Sequence, residues 1–249
     1  MELASPPQPV RCAAVLIDAD NASASHAAAV FEEIARFAEA NVRRIYGDFS
    51  GARLRAWRER LQPLAIVPTQ QFNHTTGKNA ADIALVIDAM DLMHRGMIDT
   101  FCLVSSDSDF TRLAQRLREN GKTVIGFGER KTPEAFRNAC NRFIYFDNLG
   151  NDAESEADPA QHPVKQPPAR AASLILKAMA EQDDDEGWAA LGVVGQRLRS
   201  IAPDFDPRTY GCGKLSDVIR KAGRFELDGS DPRNLRLRRK RTRRRQNDR

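Results

Sequence analysis

The sequence predicts an α/β protein in two parts: a parallel sheet with helices on both faces, then a small, mostly helical domain. Three observations predict it. Short apolar runs alternate with helical patterning over residues 10–149, which is how strands joined by crossover helices read. A stretch over 150–170, GNDAESEADPAQHPVKQPPAR, has four acids, four prolines and little to bury, so it reads as an extended, mobile linker. Amphipathic patterning then resumes over 171–235, ahead of a basic tail. The 249 residues suit one large domain and one small one.

Val10–Ile17 is apolar and long enough for a buried first strand. Ala27–Ala40 spaces Val30, Phe31, Ile34 and Phe37 at helical intervals. Val42–Tyr46 reads as a second strand, and Leu64–Val67, stopped by Pro68, as a third. Asn79–His94 carries Ile83, Val86, Ile87, Met90 and Met93 on a helical stripe. Thr100–Ser105 is a fourth strand. Asp109–Asn120 is a helix with Gly121 as its stop. Thr123–Phe127 and Phe143–Phe146 complete the strands, with a helix from Pro133 between them. Right-handed crossovers bring all the C-terminal strand ends to one edge, where such sheets bind ligands.

Composition limits the function. No apolar run is long enough for a membrane span, and Met1–Val10 lacks the pattern of a secretory signal. Cys12, Cys102, Cys140 and Cys212 have no metal-type spacing, and the four histidines form no cluster. Reduced structural thiols in a cytoplasmic protein are expected, and a zinc site is not. The net charge of +4 hides an asymmetry: residues 236–249 hold nine basic groups and one acid, while the rest carries 29 basic and 33 acidic residues. A cationic tail on a weakly acidic body points to a polyanion, most often nucleic acid.

Acids gather where strands end. Asp18-Ala19-Asp20-Asn21 follows the first strand, and Ser105-Ser106-Asp107-Ser108-Asp109 follows the fourth. Gly77-Lys78-Asn79-Ala80-Ala81-Asp82 opens the Met-rich helix between them. Clustered carboxylates repel one another and lose hydration, and a divalent cation compensates both costs. Oxygen-only ligands suit Mg²⁺ or Mn²⁺, ions that bind phosphate oxygens and activate water. The alternative is local capping, with Asp109 as N-cap of the helix it precedes and Asp20 or Asn21 as cap of the helix over 27–40.

These segments, together with Ala84-Leu85-Val86-Ile87-Asp88-Ala89-Met90-Asp91 and Phe110, resemble the NYN domain, of the LabA-like branch of the PIN-like nuclease superfamily. The likeness covers about residues 10–149, with three separated motifs in the family's order. It implies a Rossmann-like (PIN-like) parallel sheet and a Mg²⁺- or Mn²⁺-dependent ribonuclease. Asp18, Asp82, Asp107 and Asp109 match the catalytic and metal-binding acids. Asn21, Lys78, Asn79, Ser105 and Ser106 fall at substrate-binding positions. Many relatives have Gly where this chain has Ser106, and Lys three residues before the helix acid where Lys78 is four before Asp82. Asp88, about 600° of helical rotation beyond Asp82, points away and is assigned to the helix surface or a supporting contact. His74, in the polar loop before the helix, is either an RNA contact or merely exposed.

Residues 171–237 resemble the OST-HTH (LOTUS) domain, through Trp188–Leu198, Pro203–Gly211, Lys214–Ile219 and Phe225–Leu227. That family is a small winged helix-turn-helix that binds RNA or protein partners. Leu174, Ile175, Ala178 and Met179 form one apolar face, Val193, Val194 and Leu198 a second, and Leu215, Val218 and Ile219 a third. Phe225–Leu227 and Asn234–Leu237 pair as the wing, and Arg208, Tyr210 and Lys214 are candidate RNA contacts, against internal packing for Tyr210. The expected layout is thus a nuclease domain over 10–149, a linker over 150–170, the OST-HTH-like domain over 171–237 and a disordered basic tail over 238–249. The rival reading is a non-catalytic RNA-binding adaptor. A phosphotransfer enzyme is a third, and the lack of a GxxxxGK[ST] loop argues against a nucleotide kinase.

Overall fold

The computed structural model describes residues 11–72, 79–150, 165–180, 187–231 and 234–240. The chain divides into two units, Met1–Asp152 and Ala153–Arg249. In the first, the elements in chain order are β1 (Cys12–Asp18), α1 (Ala27–Ala35), β2 (Glu39–Gly47), α2 (Arg55–Leu61), β3 (Val67–Gln70), α3 (Ala80–His94), β4 (Thr100–Val104), α4 (Thr111–Glu119), β5 (Thr123–Gly128), α5 (Glu134–Ala139) and β6 (Arg142–Tyr145). The six strands are parallel, in the order β3-β2-β1-β4-β5-β6. This is the doubly wound order, and the crevice where it reverses lies between β1 and β4.

Both faces of the sheet are covered, so its central strands are apolar throughout rather than alternating. Ala14, Leu16, Phe101, Leu103, Val124 and Phe143 point to one side, against α3, α4 and α5. Ala13, Val15, Ile17, Cys102, Ile125 and Phe127 point to the other, against α1 and α2. All four cysteines are free. No described helix is long and apolar enough to cross a membrane.

Two sequence expectations fail here, each for a physical reason. The helix read over 27–40 ends at Ala35. The Phe37 and Ala38 amides close on the Ile34 carbonyl, and the Glu39 amide pairs with Arg11 to begin β2, so tertiary pairing ends a run that carries no Gly or Pro. The strand read over 64–67 is displaced. Ala65 adopts φ +50°, the left-handed conformation that reverses a chain leaving a helix, and its amide bonds back to Gln62. The strand then runs through Pro68 instead of stopping at it. The Gln71 amide donates inward to the Gly47 carbonyl, so by the two-residue period the Pro68 nitrogen faces outward, where the sheet needs no donor.

The second unit has α6 (Ala172–Met179), β7 (Ala189–Ala190), α7 (Leu191–Ile201), α8 (Leu215–Ala222), β8 (Phe225–Asp228) and β9 (Arg236–Arg239). Ile175, Ala178, Val194, Leu198, Val218 and Ile219 are fully buried in its core. Val193, placed by its spacing on the α7 core face, is 44% exposed. The wing forms as β8 antiparallel to β9, and β7 adds a third strand with the order β7-β9-β8. The unit begins within the stretch read as linker: the Gln166 amide bonds to the Thr209 carbonyl, and Pro168–Ala171 form a 3₁₀ turn. The wing likewise claims Arg238 and Arg239 from the tail. The expected mobility of 150–164 and disorder of 241–249 fall, apart from Gly150, outside the described residues.

Gly128 ends β5 beside Ser105. A Cβ there would sit 2.8 Å from the Ser105 carbonyl oxygen and 2.8 Å from Thr132 Oγ1. Gly128→Ala is expected to destabilise the protein by roughly 1–3 kcal/mol, read as a lower urea midpoint at unchanged slope.

Candidate active site

Asp18 is the last residue of β1 and is 1% exposed. Its carboxylate accepts four hydrogen bonds. Oδ1 takes the amides of Asp20 (3.0 Å) and Asn21 (3.3 Å), and Oδ2 takes Asn21 Nδ2 (2.8 Å) and Ser105 Oγ (2.8 Å). Burial pushes its pKa up and the four donors pull it back only in part, so the net shift is upward.

Ser105 carries the network to β4. Parallel register sets Ile17 beside Val104, so the next residues, Asp18 and Ser105, meet across the crevice. Ser105 Oγ also accepts the Asp107 amide at 3.0 Å. Asp107 Oδ1 in turn accepts the Asp109 amide at 2.9 Å and caps the 3₁₀ turn Ser108–Phe110. Asn79 Nδ2, at the start of α3, donates to Asp109 Oδ2 at 3.4 Å. One chain of hydrogen bonds therefore joins all three motifs.

Asp82 lies in the first turn of α3. Its pKa is pushed up to about 6, first by loss of hydration and then by the charges of Asp18, Asp107, Asp109 and Asp20. Five carboxylates thus share one edge and one field. Asp20 is exposed and forms an ion pair with Arg53, from the loop after β2. Among the described residues, no three His, Cys, Asp or Glu side chains are set to ligate one ion.

The capping alternative fails for the residues it named, and Asp107 caps a turn instead. Ser23 caps the turn that leads into α1, in place of Asp20 or Asn21, and Asp109 caps nothing. Ser106 Oγ accepts the Glu129 amide at 2.9 Å, which ties the loop after β5 to the site. Lys78 and His74 lie outside the described residues. Asp88 is a supporting contact and not helix surface: it accepts Tyr46 Oη at 2.7 Å and pairs with Arg44 at 2.7 Å, which clamps α3 onto β2.

Sequence reading missed Asp20 and Arg53 as members of the site. The DxD at a strand end was a usable signal for Asp20, whereas Arg53 sits in a polar loop with no pattern. In the second unit Arg208 is spent on Asp206, with Nε 3.0 Å from Oδ1 and Nη2 2.7 Å from Oδ2, and its side chain is 14% exposed. Tyr210 packs beside Phe205 at 5.7 Å between ring centroids, and Lys214 is exposed. The cation–aromatic cluster of this unit lies elsewhere: Arg238 and Arg236 stand 4.5 and 5.5 Å from the Trp188 ring.

A parallel sheet in doubly wound order, with carboxylates crowded at its switch point, defines an α/β protein of the doubly wound class. Residues 13–149, more than half of the chain, match the NYN domain, and the chain belongs to that family, part of the PIN-like nuclease superfamily. Residues 164–237 match the OST-HTH/LOTUS domain, a module that binds RNA. Comparison with curated proteins gives no match. Among solved structures, a Vibrio parahaemolyticus protein of unknown function is 18% identical, over 57% of this chain and 96% of its own, with a TM-score of 0.47. An uncharacterized Nitrosomonas europaea protein is 34% identical, over 36% of this chain and 91% of its own, with a TM-score of 0.27.

Ser105→Ala removes a donor from the buried Asp18 and an acceptor from the Asp107 amide, and is expected to cost about 1–3 kcal/mol of stability in urea denaturation. Asp82 ionises near pH 6 when folded and near 3.8 when unfolded, so the stability it contributes is present below pH 3.8 and is lost as pH rises through 6. Asp82→Asn should therefore raise Tm at pH 8 in chelator and leave it unchanged at pH 3.5.

Proposed function

We propose that the protein is a metal-dependent ribonuclease whose first unit hydrolyses phosphodiester bonds and whose second unit and basic tail hold the RNA. One observation carries this reading: Asp82 is held at the sheet edge against the charges of four other carboxylates, with no countercharge of its own among the described contacts. Such repulsion is relieved by a hard cation. The donor chemistry fits Mg²⁺ or Mn²⁺, since every candidate ligand is a carboxylate oxygen. The absence of a ready-made trio fits as well, because Mg²⁺ keeps several waters and needs only one or two protein carboxylates.

In this reading one or two of Asp82, Asp107 and Asp109 would hold the ion, with waters completing its shell. Asp18, whose oxygens are already filled by protein donors, contributes its charge from beneath and orients Ser105 and Asn21. The bound ion supplies Lewis acidity toward a phosphate oxygen and a more acidic water. Asn79 orients Asp109. Asn21 and Ser106 line the approach to the acids, Ser105 is buried beneath them, and the family likeness gives Lys78 the role of a point charge for phosphate. Arg53 offsets Asp20, which keeps the edge from repelling the substrate backbone outright. A protein partner on the second unit and a cytoplasmic location accord with the family and with the cysteine usage.

The test is cleavage of end-labelled single-stranded RNA in Mn²⁺. Wild type should cut, while Asp107→Asn and a chelator-treated sample should each lose roughly two orders of magnitude or more in rate. Tight RNA binding by a wild type that never cuts would instead establish the adaptor.

A further inference from the structure

A groove of about 690 Å³ lies along α4, and its lining runs from Arg112, in the first turn of that helix, to Lys122, Thr123 and Asn141 at the edge of the sheet opposite the carboxylates. Arg112 stands in the first turn of the helix, three residues after Asp109, and Lys122 and Thr123 close the far end where β5 begins. Leu113, Ala114 and Leu117 bury the opposite face of α4, so the roll of the helix is fixed by the core and the basic side is set outward. Arg112, Arg118 and Lys122 line the groove against Glu119 alone, a net charge of +2. Arg118 is held in place by the Asn138 and Ala139 carbonyls, at 3.3 and 3.1 Å, while Arg112 reaches only the neutral Gln115 at 2.7 Å. None of these cations is needed by the carboxylate network.

A strand of RNA approaching five carboxylates is repelled by them, and cations along its path offset that repulsion and add to the affinity of the second unit and tail. We propose that the α4 groove is the track of the single-stranded RNA that flanks the scissile phosphate, with Arg112 and Lys122 gripping successive stretches of its backbone. The proposal rests on the nuclease reading and adds the path of the substrate. A nine-residue helix is about 13 Å long, enough for a short run of nucleotides and too shallow a surface to enclose a duplex. Recognition through phosphates leaves base sequence unread, so the groove gives register and affinity without sequence preference.

Two measurements on the full-length protein test it. Single-stranded RNA containing 4-thiouridine is photo-crosslinked to Asp107→Asn protein in Mg²⁺, and the adducts are mapped by mass spectrometry. Adducts between Arg112 and Lys122 are expected, and adducts confined to other segments would overturn the proposal. In cleavage assays, Arg112→Glu with Lys122→Glu should raise KM about tenfold or more with kcat within about twofold. It should also flatten the plot of log KM against log salt by about 1.4, at roughly 0.7 per lost contact for single strands. Arg116→Glu makes the same kind of charge change on the same helix outside the groove and should shift KM less than about threefold. Equal effects from the two variants would reduce the groove to a general field and sink the track. A wild type that cuts no RNA would remove the nuclease reading, and the crosslinks would still decide the groove.

Discussion

The structure depends on keeping one buried carboxylate hydrogen-bonded. Asp18 sits at the end of a strand whose neighbours on both sides exclude water, so its charge survives only if protein donors replace hydration. Two of its four donors are backbone amides of its own turn, and one is Ser105, 87 residues away in the chain. That bond exists only if β1 and β4 pair in the observed register. A slip of one residue would turn every β1 side chain to the opposite face and leave the acid without its partner. The core and the site therefore impose the same alignment, and the pairing that buries Ile17 beside Val104 is the pairing that assembles the edge.

From Ser105 outward, each acid is oriented by a neighbour instead of by its own rotamer preference. Asp107 is fixed through its amide and spends one oxygen on the turn that follows, and Asp109 is reached by Asn79. The helix that presents Asp82 is tethered twice, by that Asn79 contact at its start and by the Asp88–Tyr46–Arg44 cluster two turns on. Double tethering suits a site in which like charges push against each other, because an untethered helix would relieve the strain by moving away.

The sheet was legible in the sequence because its central strands are buried on both faces and read as unbroken apolar runs. The acids were legible because a parallel sheet leaves its strand ends at one edge, whatever lies between them in the chain. What was not legible is set by contacts between distant residues. The end of α1 is dictated by pairing with Arg11, and the start of β3 by the backbone reversal at Ala65. Arg208 looked like a nucleic-acid contact because a basic residue beside Tyr210 reads that way, but a bidentate pair with buried Asp206 claims it. Trp188 and its two flanking arginines come together only once β7 and β9 are adjacent, and no local spacing announces that.

An open sheet ends in backbone that another chain can extend. On the β3 margin Pro68 removes one of the outward amide donors such an extension would use, at no expense to the ladder behind it. A residue that misled the strand boundary thus acts as a guard against self-association, turning the rim of the sheet into a poor template for a stray strand.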